Sequence, residues 1–136
     1  MPATIQQHVA LPAAAKKLYN MYLSPRAHGA FTGAPVVIGR KPGDAFSAFG
    51  GQISGTMVAT VAGRMIVQRW RSVNFAKKDA DSTLILTFTP ISDHSARIDL
   101  VHLDVSDNDI EGVTRGWPMF YWKPWREYLK RAARAG

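Results

Sequence analysis

From Ala45 to Val105 the chain is a succession of alternating segments separated by turns, and this pattern most limits what it can fold into. Gln52 to Val61 has the cleanest period of two. Ile53, Met57, Ala59 and Val61 fall on one side, and Gln52, Ser54, Thr56 and Thr60 on the other. Ser82 to Thr89 places Leu84, Leu86 and Phe88 on one face. Ser95 to Val105 places Ile98, Leu100 and His102 on one face and Arg97 and Asp99 on the other. Ala45 to Phe49 and Arg64 to Val73 complete the set. Gly50-Gly51 and Ala62-Gly63 are tight turns, and Pro90 to His94 reads as a loop. Strands joined this way pair antiparallel. Such a sheet has an apolar face that another part of the chain must cover.

The end of the chain supplies the cover. Asn108 followed by Glu111 three residues on has the spacing of a capping box. At 100° per residue, Ile110, Val113, Trp117, Phe120, Tyr121, Pro124 and Tyr128 fall on one helical stripe, with Trp125 at its edge and Trp122 on the far flank. Pro118 and Pro124 remove backbone donors, so kinks are expected and the carbonyls of Thr114 and Phe120 lose their usual partners. Ahead of the sheet, Thr4 to Val9 reads as a strand. Ala14, Leu18, Met21 and Tyr22 recur at helical spacing, with Pro12 in the first turn. Ser24-Pro25 starts a short second helix that stops near Gly33. Pro35 to Gly39 is a short strand, and Lys41 to Asp44 a turn. The order predicts an α+β domain in which a long C-terminal helix covers a curved antiparallel sheet.

At 136 residues the chain has the length of one domain, residues 1–136, with no internal repeat or linker. Hydrophobic residues are 46% and charged residues 20%, which excludes intrinsic disorder. Cysteine is absent, so disulfides, thiolate catalysis and cysteine-based zinc sites are excluded. No apolar run is long enough to span a membrane, and the first residues lack the pattern of a signal peptide. A soluble cytoplasmic protein is expected. Seventeen Lys and Arg against ten Asp and Glu give a net charge of +7, which suits an acidic partner. Lys123, Arg126, Lys130, Arg131 and Arg134 all follow Tyr121, where a helix C-terminus favours cations. That structural reason weakens a nucleic-acid reading, and no RNA-binding signature or phosphate loop is present. His8, His28, His94 and His102 have no ligand spacing, so neither a metal nor a cofactor is expected.

Several runs resemble one family. They are Phe31-Thr32-Gly33-Ala34, Gly43-Asp44-Ala45-Phe46-Ser47-Ala48-Phe49-Gly50-Gly51, Ile53-Ser54-Gly55 and Ile66-Val67-Gln68-Arg69-Trp70-Arg71. His102, Gly116-Trp117 and Tyr121-Trp122-Lys123-Pro124-Trp125 complete the match. The family is the activator of heat shock protein 90 ATPase homologue family, within the START-like (SRPBCC, helix-grip) superfamily. The likeness spans roughly residues 4 to 132. It implies about seven antiparallel strands wrapped around the C-terminal helix, two short helices after the first strand, and a hydrophobic cavity between sheet and helix. It supplies no reaction. Where many members have a small residue and a Pro-containing turn after the histidine, this chain has Leu103-Asp104-Val105-Ser106.

Phe46, Ile53, Met57, Trp70, Leu86, Phe88, Leu100, His102, Trp117, Phe120 and Tyr121 are the expected lining of that cavity. Plain core packing explains the same residues. His102 is in phase with Ile98 and Leu100 and is the weak catalytic candidate, with Tyr121 as a partner. A core histidine satisfied by a backbone or Trp neighbour is the simpler account. Trp70 is expected inward and Arg69 and Arg71 outward, with Arg71 either binding an anion at the cavity mouth or pairing with an acid such as Asp99. Trp122 either contacts a partner or a membrane, or tucks under the first strand or the short helices.

Three functions stay open. The first is a binding domain for a small hydrophobic ligand. The second is a chaperone-interaction protein of the ATPase-activator kind with an acidic partner. The third is a cyclase- or hydratase-like enzyme using His102. The sequence favours a binding role over an enzyme, and it leaves a homodimer open.

Overall fold

The computed structural model describes residues 2–135. Strand β1 (Ala3–Leu11) is followed by helices α1 (Ala15–Leu23) and α2 (Pro25–Thr32). Six strands follow: β2 (Val36–Val37), β3 (Ala45–Ala48), β4 (Ile53–Val61), β5 (Met65–Ser72), β6 (Ser82–Ser92) and β7 (Ser95–Val105). The last helix runs as α3 (Ile110–Gly116), a π turn (Trp117–Trp122) and α4 (Lys123–Ala135). All pairings are antiparallel, in the order β1-β7-β6-β5-β4-β3-β2. This is the helix-grip arrangement expected from the sequence. No described helix is long and apolar enough to cross a membrane.

Local chemistry explains most element boundaries. Ser24 caps α2 by accepting from the Ala27 amide at 3.1 Å, Pro25 occupies the first turn, and Gly33 ends the helix at φ 78°. Pro12 lies outside α1, which begins after Ala14. Pro90 is not in a loop, because β6 continues to Ser92 and Pro90 pairs with Ala96 of β7. The Phe88 amide faces β5, donating to the Arg64 carbonyl at 2.7 Å. Two residues on, the missing amide of Pro90 faces the same side, beyond the Met65–Thr87 pair where β5 ends, so no ladder bond is lost.

Two single-residue insertions change which side chains face inward. In β4 the register shifts between Met57 and Ala59, leaving Val58 as a bulge. Met57 faces in, but beyond the bulge Thr60 pairs with buried Ile66 while Val61 is exposed, the reverse of the uninterrupted alternation. The second insertion is the π turn. It advances the helix face so that Phe120 is 51% exposed while Trp122, Trp125 and Leu129 are buried. Trp125 stacks on Phe31 at 4.1 Å between ring centres, and Trp122 on Trp117 at 5.5 Å. The disturbance expected at the prolines thus takes the form of a wider turn.

Gln7 of β1 holds that turn. Its Nε2 donates to the Thr114 carbonyl at 2.8 Å, the acceptor that Pro118 leaves free. Its Oε1 accepts from Trp122 Nε1 at 2.9 Å. Trp122 therefore tucks against the first strand. The expected capping box does not form. Asp109 is the residue before α3 and caps no amide with its side chain, while Asn108 donates to Asp79 Oδ2 at 2.8 Å.

The last helix shares its task with α1. Leu18, Tyr19 and Tyr22 of α1 are buried against β6 and β7, with Tyr19 edge-on to Phe88 at 5.8 Å. One end of the layer between sheet and helices is therefore filled. The other end is not.

A half-open aromatic cavity between sheet and helix

A cavity of about 440 Å³, half open to solvent, lies between the β4–β5 end of the sheet and the first half of the last helix. Ile53, Trp70, Trp117, Phe120 and Tyr121, all expected in the lining, form part of its wall. Phe49, Gln52, Ser72, Asn74, Asp109, Gly112, Val113 and Gly116 form the rest. Phe46, Met57, Leu86, Phe88, Leu100 and His102 are not in the wall. Each is at most 2% exposed and lies in the closed core.

Two backbone features make the space. Gly112 and Gly116 are four residues apart, so they share one helix face. A side-chain carbon built on Gly116 would meet nothing nearer than Phe120 at 3.6 Å. Gly116 has ordinary helical angles, φ −65° and ψ −36°, which alanine adopts readily. Glycine within a helix costs about 1 kcal/mol relative to alanine, so the cavity exists where the helix forgoes stability. The second feature is Phe49, at φ 54°, in the left-handed region that non-glycine residues avoid. That conformation, continued through Gly50 and Gly51, sets the Phe49 ring 5.7 Å from Phe120 and 5.9 Å from Tyr121 at the rim.

His102 lies behind the wall with both ring nitrogens occupied. Trp117 Nε1 donates to its Nδ1 at 3.2 Å. Its Nε2 therefore carries the proton and donates to Ser82 Oγ at 2.8 Å, and Ser82 in turn donates to the Trp70 carbonyl at 2.6 Å. Burial lowers its pKa to about 3, so it is neutral. This chain of bonds is that of a satisfied core histidine that positions Trp70 and Trp117. Trp70 Nε1 itself is buried without a partner.

Tyr121 does not pair with His102. Its hydroxyl donates to Nε2 of His28 at 2.8 Å, and His28 Nδ1 donates to the Tyr22 carbonyl at 2.7 Å. Tyr22 donates to Gln68 Oε1 at 2.7 Å. Burial lowers the His28 pKa to about 4, against the raising effect of its Tyr22 bond, and raises those of both tyrosines. Nothing in the sequence marked His28, because it sits in a short helix of weak pattern.

Arg71 points outward and does not reach the cavity. It donates to Asp81 at 2.6 Å, to the Asp79 carbonyl at 3.1 Å and to the Ala76 carbonyl at 3.0 Å. Its acid is Asp81, since Asp99 pairs with Arg97 at 2.8 Å. Arg71 thereby shapes the loop of residues 73–81, which carries Asn74 to the rim. Asp79 fastens the loop's far end, accepting from Ser106 Oγ at 2.5 Å as well as from Asn108 and the Ala76 amide. These bonds hold its carboxyl below the usual range. Among the described residues no group of three His, Asp or Glu side chains is placed to hold a metal ion.

No family model and no curated protein matches the sequence. Solved structures do match. An HSP90 activator from Plasmodium falciparum superposes with a TM-score of 0.83 at 18% identity, covering 93% of this chain and 96% of that one. A protein from Chromobacterium violaceum gives 0.73 at 24% identity, over 93% and 96%. The Aha1 dimer from Colwellia psychrerythraea gives 0.73 at 9% identity, over 89% and 92%. The HSP90 activator and Aha1 matches support the resemblance read from the motifs, and at these identities what they establish for this chain is the helix-grip fold.

Proposed function

We propose that this protein binds a small hydrophobic molecule in the cavity between sheet and last helix. The observation that carries the reading is an aromatic-walled space of about 440 Å³ beside Gly116, where the helix keeps glycine at angles that alanine adopts readily, at a cost in helix stability. Small-molecule pockets run about 300–1,000 Å³ and are mostly apolar with few polar groups. This cavity matches on both counts, with Trp70, Trp117 and Tyr121 in its wall and Gln52, Asn74 and Asp109 among its polar members.

The test is native mass spectrometry of freshly purified protein, paired with calorimetric titration of a neutral naphthyl alcohol. A co-purifying ligand, or saturable binding lost in Gly116→Leu with the fold retained, is the expected result. Undiminished binding in Gly116→Leu places the ligand elsewhere.

A second reading is a chaperone-interaction role. Its support is the superposition on an HSP90 activator over nearly the full length of both chains. The net charge of +7 adds complementarity to an acidic surface. Stimulated ATP turnover by the chaperone on adding this protein would support it, and an unchanged rate at saturation would exclude it.

A further inference from the structure

We infer that the cavity selects an organic cation, with its apolar body inside and its ammonium or related group at the rim beside Asp109; this rests on the ligand-binding reading above. The chain carries seventeen Lys and Arg, yet neither they nor any His line the cavity, whereas the Asp109 carboxylate does. Of the cations next to wall residues in sequence, Arg71 is committed to Asp81 and two loop carbonyls, and Arg69 and Arg115 are exposed and outside the lining. Much of the positive charge lies beyond the wall on α4, where Lys123, Lys130 and Arg131 are exposed. At physiological salt the field of a distant charge decays within about 8 Å.

Asp109 is also available. It caps no amide of α3, and the contact its Oδ2 makes with Asn74 Nδ2 is long, at 3.4 Å. Gly112 leaves the carboxylate room, since a side-chain carbon there would collide with Asp109 Oδ1. The aromatic wall acts in the same direction. The ring faces of Trp117, Phe120 and Phe49 carry the negative side of their quadrupoles, which attract cations and repel anions. A ligand carboxylate or phosphate would meet the Asp109 carboxylate at the rim with no cationic side chain in the wall to offset it.

Three probes with one ring system separate the effects of charge and ring: 2-(1-naphthyl)ethylammonium, 2-(1-naphthyl)ethanol and 1-naphthylacetate. Calorimetric titration into the full chain at low and physiological salt is expected to rank them ammonium, alcohol, carboxylate. Each step should be about 3–10-fold, a little above an exposed ion pair because the site is half enclosed. Asp109→Asn, which keeps an equally good residue at the helix start, should bring the ammonium to the affinity of the alcohol and leave the alcohol unchanged. Binding of the alcohol with no preference for the ammonium, or a preference that survives Asp109→Asn, overturns the inference and leaves the ligand-binding reading standing. Failure of all three probes to bind the folded protein overturns both.

Discussion

Gln7 and the two buried histidines show how single side chains hold this fold together. The Gln7 amide gives one hydrogen bond to the carbonyl freed by Pro118 and takes another from Trp122. Gln7→Ala should lower stability by about 1–3 kcal/mol, as two bonds of about 0.5–1.5 kcal/mol each imply, read as the denaturation midpoint in urea. Gln7→Glu keeps the acceptor for Trp122 but sets a carboxylate oxygen against the Thr114 carbonyl, so it should be no more stable than Gln7→Ala. His28 and His102 predict the pH dependence. Both are neutral and buried, with folded pKa values of about 4 and about 3 against about 6.5 unfolded. Below about pH 6.5 the unfolded chain therefore binds protons that the folded one refuses. Their contribution is intact above pH 6.5 and is lost as pH falls toward 4 and then 3. The loss is on the order of 3 kcal/mol for His28 alone, since a tenfold difference in proton affinity is worth about 1.4 kcal/mol. Stability that stays level from pH 7 to pH 4 would contradict this.

At the scale of elements, sheet and last helix were legible in the sequence to the extent that their periods were unbroken. β7 lies where its alternation and flanking turns put it, from Ser95 to Val105, with His102 inward. α2 follows from Ser24-Pro25 and Gly33, and Ser24→Ala should cost about 0.5–2 kcal/mol through the lost cap, measured by thermal melting. The misassigned face of β4, at Val61, and the shifted face of the last helix, with Trp122 buried, each follow from a single inserted residue. An insertion turns a strand over and rotates a helix by about 100°. The bulge was not legible, because it forms against a neighbouring strand; Pro118 announced a disturbance in the helix but not its form, and the Gln7 bonds that hold it come from more than a hundred residues away. The cavity was half legible: its aromatic residues could be counted, but no period announced the bare helix face of Gly112 and Gly116 beside it. Gly116→Ala is accordingly expected to stabilise the protein by about 1 kcal/mol while weakening the alcohol probe.

For the molecule as a whole, the layer between sheet and helices has a filled end and a hollow end, and Trp117 stands where they meet. It touches the cavity, His102, Tyr121 and Trp122 together. Trp117→Ala should cost roughly 3–5 kcal/mol; a loss below about 1 kcal/mol in chemical denaturation would mean that the helix does not bury this face. The π turn then has a consequence for how such a protein diverges. Upstream of it, the helix faces the hollow through Gly112, Val113 and Gly116; downstream, Trp125 and Leu129 lock it to the body of the fold. Because the turn rotates one half against the other, mutations in the first half can reshape the hollow without unseating the second. One continuous helix thus carries two separately inheritable traits, the shape of a hollow and an anchorage.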